Sequence, residues 1–204
     1  MAGRLLGLVA GLVAFAVVHS VLAALGVRQR GEALLGSPVR YRFLYSVVAV
    51  VLLTAVLVAT RGSYPIVWET HGFTRAALLA VQGIAVIGFI ATVRSFDVGP
   101  FLGLRARSTA GGAGAGPEFR VHGPYARCRH PLYFFTNLFF SAWPVMDLRW
   151  LIVALWLWGY AYVGSILEER KLVQELGDAY RAYQARMPRF LPLGPRRGGP
   201  ADQG

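Results

Sequence analysis

A twelve-residue stretch of the sequence, HGPYARCRHPLY from His122 to Tyr133, concentrates side chains that can bind or orient a ligand. It contains two histidines, two arginines and two tyrosines. Pro131 moves His130 out of helical geometry, because the residue before a proline avoids that geometry. Pro131 also suits the first turn of a helix, where free N–H groups attract anions. The stretch therefore predicts a ligand-binding loop that ends at a helix N-terminus.

The same stretch bears on metal binding. His122 and His130 are eight residues apart, with no carboxylate or thiol at ligand spacing, so we expect no metal site. The one cysteine, Cys128, excludes an internal disulfide and a cysteine-based zinc site. Asn137 follows Tyr133 by one helical turn and shares its face. An alternative stays open, because arginines and tyrosines also collect at membrane edges for solvation reasons alone.

A second group of chemically active side chains begins at Glu168. The segment Glu168–Met187 has one apolar helical face, and we predict a surface helix there. Glu168 shares that face where an apolar segment leaves the bilayer, so its carboxylate needs a ligand or an arginine partner, with Arg129 and Arg170 both open as candidates. Glu169 is expected to stabilise the helix dipole. The apolar face consists of Leu172, Leu176, Tyr180, Tyr183 and Met187.

The elements that position these residues are apolar. Of the 204 residues, 55% are hydrophobic and only 15% are charged, against about a quarter charged in soluble domains. We therefore predict an all-α, polytopic membrane protein with about five transmembrane helices and a C-terminal amphipathic helix. A cleaved signal peptide is the alternative for the first segment, although its apolar length exceeds that of the usual hydrophobic region of a signal peptide. The five apolar segments are Leu5–Val27, Phe43–Thr60, Ala76–Val93, Pro131–Met146 and Trp150–Leu167.

The basic residues predict the orientation. Apart from Arg4, Arg61, Arg75 and Arg149, all of the 21 lysines and arginines fall on one side of the predicted spans. The positive-inside rule then predicts an inner-membrane protein with its N-terminus outside and its C-terminus in the cytoplasm. The net charge of +11 is explained by this orientation, so we expect membrane lipids and no nucleic acid as partners.

The chain reads as a single domain, 1–204, with three N-terminal spans in 1–96. A flexible cytoplasmic loop is expected at 97–121, where the glycine-rich segment Arg107–Arg120 lies. Residues 122–192 form the predicted binding region and 193–204 a disordered tail. The glycines do not form a dinucleotide fingerprint, because no strand precedes them.

The two motifs together resemble a known family. GPYARCRHPLY, a helical hairpin and EERKLVQELGDAYRAYQARMP resemble the isoprenylcysteine carboxyl methyltransferase-like superfamily of integral membrane methyltransferases. HSVLA and YRFLYS, further upstream, are similar to its bacterial branch, which contains methanethiol S-methyltransferase and membrane proteins associated with nitrite and nitric oxide reduction. The resemblance implies that S-adenosyl-L-methionine is the cofactor and that a stretch around Arg120 contacts it. It also implies that the cofactor is bound by Tyr125, His130, Pro131, Leu132, Tyr133 and Glu168.

The resemblance also bears on the methyl acceptor. Eukaryotic prenylcysteine enzymes carry an arginine one turn before this acid, where this chain has Gly164. Without that cation a substrate carboxylate lacks its partner. We therefore expect a small thiol or lipid-associated acceptor beside Gly164 and Asn137, with no catalytic residue assigned. The alternative is a non-enzymatic accessory protein of nitrogen-oxide or haem metabolism, whereas a transporter is disfavoured because intramembrane polar residues are few.

Overall fold

The computed structural model describes residues 1–96, 98–104 and 121–195. Within them the chain is mostly helical, and four helices are long and apolar enough to cross a membrane, which confirms the predicted all-α polytopic fold. The elements in chain order are α1 (Ala2–Ala23), α2 (Leu25–Leu35), α3 (Pro38–Ala59), β1 (Ile66–Glu69), α4 (Gly72–Arg94), α5 (Val98–Leu102), α6 (Pro131–Ser141), β2 (Val145–Asp147), α7 (Leu148–Leu176) and α8 (Asp178–Arg186).

The chain divides into two compact units. Of the described residues, the first contains 1–66, 98–104 and 147–152, and the second contains 67–96, 121–146 and 153–195. The predicted binding loop and the described segment after Gly164 both belong to the second unit. Strands β1 and β2 pair into a small two-stranded sheet.

In the first unit, helices α1, α2 and α5 pack on α3. Gly36 ends α2 with a φ of 63°, which glycine adopts without strain, and Ser37 then caps α3 ahead of a proline at its first position. Gly11 lets α1 approach α3 closely, since a Cβ there would lie 2.8 Å from Cγ1 of Val56. Within the predicted loop at 97–121, Val98–Leu102 form the short helix α5. Residues 105–120 lie outside the described residues.

Helix α3 shows why these helices belong in a bilayer. Its most apolar window has a mean hydropathy of 2.3, and none of that window is buried inside the protein. A long apolar helix whose side chains the protein does not fully bury needs a hydrocarbon environment.

In the second unit, α6 runs antiparallel to α4. Gly88 accommodates the ring of Phe135, and Gln82 Nε2 of α4 donates to the carbonyl of Phe139 at 3.2 Å. Close to the end of α4, Gly123 lies beside Ser95, where a Cβ on the glycine would be 3.1 Å from the serine Cβ.

The chain after α6 reaches the other end of α4. There the backbone N–H of Thr70 donates to the carbonyl of Pro144 at 3.0 Å. Helix α6 itself rises only about 16 Å, which is too short for a bilayer core of about 30 Å. The chain from Gly123 to Pro144 therefore follows the length of α4, although only Pro131–Ser141 of the fourth predicted segment is α-helical.

The predicted boundary after the fifth segment is wrong. Helix α7 continues through Leu167 without interruption to Leu176, and Gly177, with a φ of 57°, separates it from α8. The reason is local, because the sequence between Gly164 and Gly177 holds no proline or glycine to stop a helix. At about 1.5 Å per residue, α7 is longer than a bilayer core, so its last turns extend beyond the apolar region.

Candidate functional site

The loop before α6 is held by its own turn and by the segment that follows α8. A 3₁₀ turn at Gly123–Ala126 allows the carbonyl of Pro124 to accept from the N–H groups of Arg127 and Cys128. His130 then occupies the N-cap position of α6, ahead of Pro131, as predicted from the sequence. This places the imidazole where the loop meets the helix.

Backbone hydrogen bonds join this loop to the C-terminal segment. The N–H of Arg129 donates to the carbonyl of Pro188 and that of His130 to the carbonyl of Arg189, both at 2.9 Å. Further along, Gly194 N–H donates to the carbonyl of Arg127 at 3.0 Å, so the two segments are joined at three positions. We call Pro188–Gly194 the C-terminal strap.

Tyr183 of α8 strengthens the same connection. Its hydroxyl donates to the carbonyl of Tyr125 at 2.7 Å and lies 3.3 Å from the carbonyl of Cys128. Burial raises the pKa of Tyr125 to about 12 and that of Cys128 to about 11. Both groups are therefore neutral at physiological pH, and the Cys128 thiol is fully buried and structural.

The centre of the site is the carboxylate of Glu169, which is only 4% exposed. Arg129 Nε donates to Oε1 at 2.8 Å, and Arg189 Nη2 donates to Oε2 at 3.1 Å. Gln184 Nε2 of α8 donates to Oε2 at 2.9 Å, and His130 Nε2 lies 3.0 Å from Oε1. One carboxylate on α7 therefore joins the loop, α8 and the C-terminal strap.

This arrangement corrects the expectation for Glu169. The residue does not lie at a helix N-terminus, because α7 is continuous from Leu148 to Leu176. It is therefore far from the positive end of a helix dipole. Arg129, one of the two candidate partners of Glu168, pairs with Glu169 instead. A buried carboxylate with two guanidinium donors is a fully compensated charge, which is the condition for burying it.

His130 is neutral in this environment. Burial lowers its pKa below the usual value, and the nearby Arg129 acts in the same direction, while the carboxylates of Glu168 and Glu169 oppose them. Because Glu169 can only accept, the hydrogen of the neutral ring is assigned to Nε2. Nδ1 then carries the lone pair and lies 3.7 Å from Oε2 of Glu168.

Glu168 occupies a different environment from Glu169. Its side chain is 50% exposed, and the hydroxyl of Tyr133 donates to its Oε2 at 3.2 Å. The ring of Tyr133 stacks on His130 with centroids 5.5 Å apart. Near this hydroxyl, a Cβ placed on Gly164 would have Tyr133 Oη as its only neighbour, at 3.7 Å, among the described atoms. The missing side chain thus leaves space on α7.

Asn137 lies one turn further along α6 and is 2% exposed. Its Nδ2 donates to the carbonyl of Tyr133 at 2.7 Å. Its Oδ1 is buried and has no hydrogen-bond partner in the described part of the chain. The neighbouring α6 residues behave as expected for a first turn, with Pro131 buried and Leu132 half-buried.

The predicted residues His130, Tyr133, Gly164 and Glu168 thus come together on α6 and α7. Tyr125 lies in the loop and contacts α8 through its backbone, while Arg120 lies outside the described residues. Whether these residues bind a cofactor or a substrate stays a prediction. Across 1–96, 98–104 and 121–195, no group of three or more His, Cys, Asp or Glu side chains forms a metal-binding cluster.

Reasoning from the sequence missed two members of the site, Gln184 and Arg189, and also missed that Glu169 is buried at its centre. The available signal was charge. Arg129 and Arg189 each lie within two residues of a proline, which restricts the backbone around them. A guanidinium group that is held in a buried position needs an acid as its partner.

The sequence is similar to known proteins over most of its length. The profile of a family described as NnrU protein matches residues 7–191. Methanethiol S-methyltransferase 2 of Bradyrhizobium diazoefficiens is 29% identical over 180 residues, covering 87% of this chain and 69% of that protein. Methanethiol S-methyltransferase 1 of the same organism is 29% identical over 184 residues, covering 87% and 63%. Methanethiol S-methyltransferase of Pseudomonas deceptionensis is 29% identical over 196 residues, covering 92% and 72%. The chain therefore spans about two thirds of the length of these relatives, and no solved structure matches it.

Proposed function

The chain belongs to the NnrU protein family, and from that premise we propose that it is a multi-pass membrane methyltransferase that uses S-adenosylmethionine to methylate a small thiol or a lipid-associated acceptor. Membership confirms the resemblance to the isoprenylcysteine carboxyl methyltransferase-like superfamily. The names of three relatives, each 29% identical, support methyl transfer as the reaction and methanethiol as a guide to the acceptor.

One structural observation supports this function above the others. The buried carboxylate of Glu169 fixes His130 beside Tyr133 and Glu168, at the end of an apolar helix that extends beyond the bilayer core. A site in that position is open to a water-soluble cofactor from one side. An apolar acceptor can reach it from the membrane.

The donor set fits S-adenosylmethionine. Glu168 is half exposed, and a carboxylate there can accept from the cofactor's ammonium group or ribose hydroxyls. The Nδ1 lone pair of His130 and the hydroxyl of Tyr133 border the same space, and Gly164 leaves room beside them. When bound, the cofactor supplies a methyl group on a sulfonium, which is already activated for transfer.

The protein's contribution to catalysis is then mainly positional. Residues held by the Glu169 network keep donor and acceptor groups in line, which is the main requirement once the methyl group is activated. With the cofactor bound, transfer to a thiol would form a new C–S bond as the sulfonium–methyl bond breaks, the thiol proton would pass to solvent, and a sulfide and S-adenosylhomocysteine would leave. Gly164 supplies no cation for a carboxylate acceptor, so a neutral nucleophile is favoured.

The orientation is part of the proposal. We count the segment from Gly123 to Pro144, which runs along α4 in the opposite direction, as a fifth pass beside the four candidate spans α1, α3, α4 and α7. An odd number of passes puts the termini on opposite sides. Together with the arginine distribution, this supports an inner-membrane protein with its N-terminus outside, its C-terminus in the cytoplasm and the site on the cytoplasmic face.

Calorimetric titration with S-adenosylhomocysteine tests the proposal in detergent-solubilised protein. We expect saturable binding, followed by methyl transfer from labelled S-adenosylmethionine to alkyl thiols first and to amino-headgroup lipids second. Well-folded protein that does not bind S-adenosylhomocysteine would instead indicate the non-enzymatic accessory protein. Methylation of acetylated farnesylcysteine with none of thiols or lipid amines would contradict the proposed acceptor class.

A further inference from the structure

Asn137 carries the one buried side-chain acceptor of α6 that lacks a partner among the described residues. The orientation of its amide is fixed, because Nδ2 must face the carbonyl of Tyr133, to which it donates at 2.7 Å. Oδ1 therefore points to the other side. A buried acceptor without a donor lowers stability, so a group retained in this state is a candidate for ligand binding.

The surroundings of Asn137 show where this acceptor lies. Residues four apart on a helix share a face, and Tyr133, Asn137 and Ser141 form such a row. Tyr133 contacts Glu168 of α7, and Ser141 Oγ accepts from Trp158 Nε1 of α7 at 3.0 Å. Asn137 stands between these two contacts, so it faces the part of α7 that includes Gly164.

The chemistry of Oδ1 restricts what it can bind. It is uncharged and accepts only, so it attracts a neutral hydrogen-bond donor and repels the lone pairs of a carboxylate. An ammonium group would lose its hydration at a 2%-exposed position without a counter-ion there. A thiol S–H, which is a weak donor and loses little on leaving water, suits the position.

We infer that Asn137 is the specificity-determining residue that accepts a hydrogen bond from the S–H group of the thiol acceptor, an inference that rests on the proposed function. The sulfide product has no S–H group and loses this hydrogen bond. Asn137 therefore distinguishes the substrate from its methylated product and favours product release.

A pair of isomers tests this role by binding alone. Propane-1-thiol and ethyl methyl sulfide contain the same atoms, but only the thiol has an S–H donor. Wild-type protein should bind the thiol about twofold to tenfold more tightly, as one net hydrogen bond allows. Asn137→Leu, which is nearly isosteric and removes the acceptor, should bind both isomers equally. Thr136→Val, the adjacent residue on another face of α6, is the matched control and should keep the wild-type ratio.

Three further readouts separate the possible outcomes. In Asn137→Leu, the KM for thiol should rise, while affinity for S-adenosylhomocysteine stays unchanged and the melting temperature does not fall. An unchanged thiol-to-sulfide ratio, or a large loss of stability, would show that Oδ1 is a structural group that binds water. Thiol discrimination by a wild-type protein without transferase activity would refute the proposed function and leave the role of Asn137 in binding intact.

Discussion

Glu168 and Glu169 are adjacent in the sequence but have opposite environments on α7. The side chain of Glu168 is 50% exposed and accepts one hydrogen bond, from Tyr133. Glu169 is 4% exposed and binds two arginines, a glutamine and a histidine. We therefore expect ligand binding to depend on Glu168 and folding on Glu169, so that substitutions should separate the two roles.

Glu169→Gln should destabilise the protein strongly. An amide cannot neutralise the guanidinium groups of Arg129 and Arg189, and breaking a buried ion pair costs about 3–5 kcal/mol. We expect a lower melting temperature in detergent and proteolysis of the C-terminal strap. Glu175→Gln, at an exposed position on the same helix, is the control and should melt like wild type. Equal melting of all three proteins would exclude a central role for Glu169.

Glu168→Gln should leave the fold intact and weaken cofactor binding. The carboxylate is half exposed and accepts one hydrogen bond from the described residues, so its loss should cost little stability. Affinity for S-adenosylhomocysteine should fall by about one to two orders of magnitude. Titration calorimetry measures this directly. Undiminished affinity would remove Glu168 from the binding site.

The stability of the protein should fall in mild acid through His130. Burial lowers its pKa in the folded protein, so the unfolded chain, which titrates near pH 6.5, takes up a proton first as the pH decreases. The contribution is therefore fully present above about pH 6.5 and is lost progressively below it. Melting temperatures between pH 8 and pH 5 should show this slope. His130→Gln should flatten it, whereas His122→Gln, in the same loop, should retain it.

The topology follows from the arginine distribution and is directly testable. A reporter fused after Gly204 should be cytoplasmic, and one inserted within 61–69 should be external. Enzymatic reporters that are active on one side only would measure both positions. If the His122–Tyr133 loop were external, cytosolic S-adenosylmethionine could not reach it. That result would contradict the methyltransferase proposal.

Local patterns in the sequence predicted the membrane helices and the start of α6. The length of an apolar segment and the backbone restriction imposed by Pro131 are local properties, so they can be recognised from the sequence alone. The end of α7 was misplaced because hydropathy falls at Glu168, whereas helical hydrogen bonding continues until Gly177. A break in polarity marks the edge of the bilayer and not the end of a helix.

The Glu169 network could not be predicted in the same way. Its partners come from α8 and the C-terminal strap, and neither spacing nor composition shows that these segments fold back against Arg129. The unpartnered Oδ1 of Asn137 could not be predicted either. The sequence places Asn137 on the same helix face as Tyr133, but only the structure shows which hydrogen bonds its amide makes.

The hydrogen bonds between the loop and the C-terminal strap can form only late in the synthesis of the chain. Arg129 also donates to the carbonyl of Met187, the residue just before the strap, and these two residues are 58 positions apart in the chain. A ribosome adds about 5–20 residues per second, so the loop emerges seconds before its partners. The helices can enter the bilayer during that interval, but the loop, with Arg129 and His130, has no strap to bind until translation passes Gly194. The nascent chain can therefore insert its helices into the membrane before the loop and the strap come together to form the site.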